Sequence, residues 1–317
     1  MASFILKRLG IGVGLFLLVL TLIFFVLRTV PGDPAQILAS GGLNGQATPQ
    51  AVAQMRRELG LNRPVIVQYG SYLFGVVTGN LGESFQYHQS VISVVLERLP
   101  NTLELVAFAS LIGVVLGITI GSLAARRGGI LDTIVTTVTS FAISVPVYVL
   151  AVVFIYFFAL KLQWFSAGGF APWTEPGAHL KGLVLPAVCL AIPLTSIIAR
   201  MTRSSVLETQ QQDWVRTGHS WGLSARKVFT SHILRNALTP VTTSIGLEIG
   251  IMLGSTVLIE NIFAYPGMSA LLVQAINSRD YPIVQGVVIT LAGMFIILNI
   301  IVDALYGVLD PRARTKG

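Results

Sequence analysis

Only 11% of the residues in this chain are charged, against roughly 25% in a typical soluble domain, while 53% are hydrophobic. So little charge cannot clothe a water-exposed surface, and the composition reads as that of a chain living in lipid. Cysteine is almost missing. Cys189 is the single copy, which excludes a disulfide within the chain, and its place inside an apolar run makes it a small buried apolar residue. The four histidines, His88, His179, His219 and His232, are scattered over loops, which leaves no convergent site and no metal-ligand spacing. The motifs G-x-x-x-x-G-K-[ST], H-E-x-x-H and G-x-S-x-G do not occur. The reading is therefore of a non-catalytic chain with no metal or cofactor site of its own; a nucleotide driving its work must be bound by another polypeptide.

What is present is a series of apolar runs of bilayer-spanning length, at about 9–30, 100–124, 131–160, 182–201, 239–259 and 283–306. Six spans place both termini on one side. With the N-terminus inside, the inner segments carry Lys7, Arg8, Arg126, Arg127, Arg200, Arg203, Arg216, Arg226, Lys227, Arg235, Arg312, Arg314 and Lys316, thirteen of the twenty-one basic residues, with five acids. The outer segments hold eight basic and eight acidic residues. The positive-inside rule thus selects cytosolic N- and C-termini, and the net charge of +7 becomes a signal of topology. Basic residues shared among separate short loops argue against nucleic acid as a partner. The first run, Leu9 to Leu27, exceeds the apolar core of a signal peptide and is read as a retained anchor.

Four segments follow: an anchor helix at 1–30, an extracytoplasmic lobe at 31–99, a five-helix core at 100–306 that includes a cytosolic loop at 202–238, and a cytosolic tail at 307–317. In the lobe, Thr48 and Pro49 can start a helix that Gly60 ends. Pro64 to Val77 is apolar but too short to cross, which suits a helix lying at the interface with Tyr69, Tyr72 and Phe74 at headgroup depth. The lobe either meets an extracytoplasmic partner or plugs the outer mouth; the aromatic loop at 161–181 is either a contact loop or part of an interfacial belt.

Gly113, Gly117 and Gly121 in the second span, and Gly246, Gly250 and Gly254 in the fifth, recur every four residues and line one helix face each. Such faces admit a close neighbour, from the same chain or from a second membrane subunit. Pro146 and Pro193 should bend the third and fourth spans. Glu248 is the one acid near the middle of a span, where a charge costs roughly 2.5–3.5 kcal/mol, so it faces the substrate pathway or a hydrogen-bonding neighbour. Glu104 and Asp303 lie nearer the ends of their spans.

The long polar loop is the most informative stretch. Ser204 to Arg216 can form one helix, Gly218 and Gly222 interrupt it, and Ser224 can N-cap a second helix over Ala225–Leu238 with Val228, Phe229, Ile233 and Leu234 on its apolar face. The outline is that of a helix-turn-helix, but both ends are pinned to membrane spans.

Arg216-Thr217-Gly218, three residues, then Gly222, running on into HILRNALTP, resembles the EAA loop of membrane subunits of ATP-binding-cassette importers, in the dipeptide and oligopeptide permease variant. The resemblance extends through LRTVPGDPA at 27–35, GNLGES at 79–84, RLPNTLELV at 98–106, YPGMSALLVQAINSRDYPIVQG at 265–286 and IVDALYGVLDPR at 301–312. Two positions depart: Gly218 stands where the family usually has alanine, and Trp221 where lysine is common. The resemblance implies an all-α polytopic, type I (MetI-like) importer fold in the prokaryotic inner membrane. It also implies a second homologous permease, two cytosolic ATPases that bind ATP and Mg, and an extracytoplasmic substrate-binding protein. Arg216, Thr217, Gly218, Trp221, Gly222, Leu223, Ser224 and Arg226 would then form the surface that meets one ATPase, the alternative for the arginines being attachment to anionic lipid. Short peptides are the favoured substrate; similar permeases move nickel complexes, glutathione, haem or sugars. A gradient-driven carrier is the competing class.

Overall fold

In the computed structural model, residues 2–29, 33–40 and 47–309 are described, and among them every regular element is a helix. Arg312, Arg314, Lys316 and most of the tail lie outside the described residues, as do the side chains of Lys7, His219 and Asp303. In chain order the helices are α1 (Ala2–Thr29), α2 (Pro34–Ala39), α3 (Pro49–Glu58), α4 (Val65–Thr78), α5 (Val91–Arg127), α6 (Gly129–Ser144), α7 (Val147–Phe154, continuing as a π-helix over Ile155–Lys161), α8 (Pro176–Gln210), α9 (Asp213–Ser220), α10 (Ala225–Lys227, continuing as a π-helix over Val228–Ile233), α11 (Leu234–Ile262), α12 (Met268–Asn277) and α13 (Tyr281–Leu309).

Among the described residues, five stretches are long and apolar enough to cross a membrane: Arg8–Thr29, α5, α8, Ala225–Ile262 and Tyr281–Val302. The expected third span is broken. Gly129–Ser144 and Val147–Lys161 meet at 98° and make a sixth crossing only as a bent pair. The cause is local: Val145, held extended (φ −84°, ψ 121°) before Pro146, cannot continue the helix. Pro193, by contrast, sits inside an unbroken α8.

The chain divides into two compact units. One comprises Leu9–Thr102 and Pro266–Ile296. Its core joins Val91, Val94 and Val95 of α5 to Met268, Leu271 and Ala275 of α12 and Ile283, Val284 and Val287 of α13. Asp280, 1% exposed, staples the loop before α5 to the start of α13: its Oδ2 accepts from the Ser84 hydroxyl (2.5 Å) and the Gln86 amide (3.1 Å), and its Oδ1 from the Ile283 amide (3.4 Å). Thr48 caps α3 and Pro49 opens it, as the sequence suggests. Tyr69 and Tyr72 pack against α1. Tyr69 shares a 2.7 Å hydrogen bond with Thr21, and both rings pack on Phe24 of α1, leaving Phe74 as the exposed aromatic.

The other unit contains Leu103–Tyr265 and residues from Ile297 onward. Here α8 is the central helix, buried from Leu183 through Val206 against α6, α7 and α11. The glycine face of α5 meets it directly. A Cβ on Gly113 would strike Leu194, one on Gly117 would strike Ile198, and one on Gly121 the Ala199 carbonyl, so the absent side chains are what let the two helices touch. This stripe is an internal seam. On α11, Gly246 presses on Val302 and Gly250 is buried, whereas Gly254 faces open space.

Candidate functional site

The 204–238 loop folds differently from the two-helix reading, and the difference sharpens its shape. Helix α8 carries on to Gln210, the chain turns at Gln211 and Gln212, and α9 starts at Asp213, whose carboxylate suits the positive helix N-terminus. Gly218 does not interrupt a helix; it lies within α9, which ends at Ser220. Gly222 makes the turn with φ +77°, a conformation that a β-carbon penalises, although the space around it is open. Ser224 then caps the next helix, its hydroxyl accepting from the Lys227 amide at 3.4 Å. That helix does not stop at Leu238. It runs as one 38-residue stretch, Ala225–Ile262, passing through Pro240 into the fifth span.

A buried apolar cluster fixes this knob: Val206 of α8, Val215 of α9, and Val228, Phe229, Ile233 and Ala237 of the long helix, with Ala125 of α5. Leu223 packs against it from the turn. The Ser205 hydroxyl donates to the Ala237 carbonyl at 2.8 Å, and the Arg126 guanidinium lies 5.2 Å from the Phe229 ring centre. Arg203, at the start of the loop, makes a two-pronged ion pair with Asp132 at the start of α6. The knob is thus tied to α5, α6, α8 and the long helix.

Its outer surface is the opposite. Trp221 is 79% exposed, and Trp214, Arg216, Thr217, Ser224, Arg226 and Lys227 are exposed with it. Neither the Arg216 nor the Arg226 guanidinium has a hydrogen-bond or ionic partner among the described residues. A tryptophan and unpaired cations on a rigid base form a surface suited to a protein partner.

Glu248 is half-buried on α11 and likewise has no hydrogen-bonding or ionic partner among the described residues. Sequence reading missed a second polar cluster. His179 lies in the first turn of α8, not on a loop, and is 2% exposed. Its Nε2 is 2.9 Å from Glu104 Oε1 and its Nδ1 2.6 Å from the Ala171 carbonyl, while Trp173 stacks on the ring at 4.1 Å. The Tyr265 hydroxyl donates to Glu104 Oε2 at 3.3 Å; burial and that carboxylate push the phenol well above its ordinary pKa, so it stays a donor. The Gly169 amide donates to the Phe263 carbonyl at 2.9 Å, completing the attachment of the 162–175 loop to the end of α11. The available signal was that Glu104 and Tyr265 fall in two of the recognised sequence blocks.

Residues 117–315 match the profile of the binding-protein-dependent transport system inner membrane component family, and residues 1–106 match that of the N-terminal part of such membrane components. The chain belongs to this family. A peptide transport system permease protein of Brucella abortus (strain 2308) is 40% identical over 316 residues, covering 99% of each chain. The di/tripeptide transport system permease protein DppB of Pseudomonas aeruginosa (strain UCBPP-PA14) is 37% identical over 336 residues, again with 99% of each covered. Among solved structures, the inward-facing MetNI methionine ABC transporter aligns with a TM-score of 0.58 at 18% identity, over 69% of this chain and 97% of that one. The likeness identifies a type I importer permease fold.

Proposed function

We propose that this permease forms half of the translocation pathway of an ATP-driven, binding-protein-dependent importer of di- and oligopeptides. The observation that carries the reading is end-to-end similarity, at 37–40% identity, to proteins named as peptide permeases. In this reading both termini are cytosolic, residues 31–99 form the extracytoplasmic lobe, 100–306 the core and 307–317 the cytosolic tail. A second homologous permease, two ATPases holding ATP and Mg, and a substrate-binding protein complete the assembly.

The exposed rim from Arg216 to Arg226 seats in a groove of one ATPase. Closure of the ATPase pair displaces the knob, and the apolar cluster passes that displacement to α5, α8 and α11. The pathway then opens first outward and then inward, with Glu248 facing it. Gly254, open within this chain, belongs to the seam with the second permease. Hydrolysis stays with the ATPases; this chain converts their movement into access.

Reconstitution with the products of neighbouring reading frames tests the proposal. Uptake of a labelled dipeptide should require ATP and the binding protein and should ignore an imposed ion gradient. Uptake on a gradient alone would establish a secondary carrier, and ATP-driven uptake restricted to nickel complexes, glutathione, haem or sugars would reassign the substrate.

A further inference from the structure

Within the unit formed by Leu9–Thr102 and Pro266–Ile296, two adjoining cavities of about 520 and about 300 Å³ share Arg28, Leu59, Leu61, Gly82 and Gln285 in their walls. The larger has the size and the mainly apolar lining of a small-molecule site, with Leu38, Met55 and Phe85 among its walls. Two charges line it, each unneutralised. Among the described residues Arg28 donates only to neutral acceptors, the Gln68 Oε1 at 2.6 Å and the Phe24 carbonyl at 3.0 Å, and lies 3.4 Å over the Phe24 ring. Glu83 has no side-chain partner among the described residues. Elsewhere in the same unit the chain does neutralise its charges, as where Arg56 pairs with Asp33 at 2.8 Å. Tyr281 also lines the larger cavity and Tyr72 the smaller, and both phenol hydroxyls are buried without a hydrogen-bond partner. Buried polar groups are nearly always satisfied, so two orphans beside a cavity point to an occupant.

We infer that this cavity binds a short peptide through its two free termini, the carboxylate on Arg28 and the ammonium on Glu83, with its apolar side chains in the adjoining space. The inference rests on the peptide-import reading and adds a site on the permease itself. A guanidinium fork matches a carboxylate bidentately, and an unpaired glutamate matches an ammonium. An anionic lipid headgroup would use Arg28 but would be repelled by Glu83. A peptide held here would be a loading stage ahead of the central pathway.

The test uses the membrane complex, without its binding protein, in phosphatidylcholine nanodiscs, titrated with the dipeptide Ala-Phe by ligand-observed NMR. Saturable binding is expected, weakened at least tenfold by amidating the C-terminus and likewise by acetylating the N-terminus. Arg28→Gln should abolish the distinction between free and amidated peptide while keeping that between free and acetylated peptide; Glu83→Gln should do the reverse. Blocking the ligand ends needs no variant, so a variant that fails to fold leaves the test decisive. No saturable binding, indifference to both blocked ends, variants that lose both distinctions together, or displacement of Ala-Phe by phosphatidylethanolamine would each overturn the site. If peptide uptake proceeds while this pattern fails, the transport reading stands and the cavity does not; if no peptide is carried at all, the transport reading fails on its own assay.

Discussion

His179 Nε2 lies 2.9 Å from Glu104 Oε1. The Ala171 carbonyl, which can only accept, calls for the hydrogen on Nδ1. With Tyr265 donating to the other carboxylate oxygen, the pair ties α5, the start of α8, the 162–175 loop and the end of α11 at one point.

Cutting that point should loosen the loop. His179→Leu removes a hydrogen bond to a charged group and should cost about 1.5–3 kcal/mol. The expected readouts are a lower melting temperature and faster proteolysis between Gln163 and Glu175. Unchanged values for both would show that Trp173, Phe170 and Tyr265 hold the loop unaided.

Gly218 and Gly222 should respond in opposite ways. Gly222→Val forces a β-branched residue to φ +77°, at roughly 1–2 kcal/mol, and should reduce ATP-driven uptake while insertion stays normal. Gly218→Ala places a methyl in ordinary contact with Val228 and Leu223 inside α9, and should stabilise the knob by about 0.5–1 kcal/mol with uptake retained. Full transport by the Gly222→Val protein would detach the turn from coupling.

The two glycine stripes separate by readout. Gly121→Leu should destabilise the chain by about 1–3 kcal/mol, because the Ala199 backbone cannot yield. The Cβ of Gly254→Leu meets nothing within 4 Å among the described residues, so the substitution should leave the chain's own melting temperature unchanged, yet lower recovery of the second permease on co-purification. Intact recovery would place the inter-subunit seam elsewhere.

Arg216→Glu should lower co-purification of the ATPase without altering membrane insertion. A complex that survives the charge reversal would support attachment of the arginine to lipid instead.

Five spans and the caps of α3 and α10 were legible because they depend on local pattern: run length, Thr48-Pro49, and Ser224. The break in the third span was only half legible, since a proline announces a bend but not its 98° extent. The run-on of the loop helix into α11 was hidden by the change from polar to apolar at Leu238, which marks a change of surroundings and not of backbone. Long-range polar ties were invisible: Ser84 and Asp280 are 196 residues apart, and nothing near either names the other. The sequence blocks holding these residues were recognised, while the reason those blocks belong together, a buried carboxylate gripping a distant loop, lies in the packing.

One consequence follows from the 38-residue helix Ala225–Ile262. At 1.5 Å per residue it is a strut about 57 Å long, with its foot beside Ser224 and its head next to Tyr265. A π-helical turn over Val228–Ile233 and Pro240 lie near its foot, and beyond them the helix runs on unbroken to its head. In the proposed importer, a shove received by the foot would travel along one continuous helix to the head, coupling the two ends of the fifth span without a separate timing device.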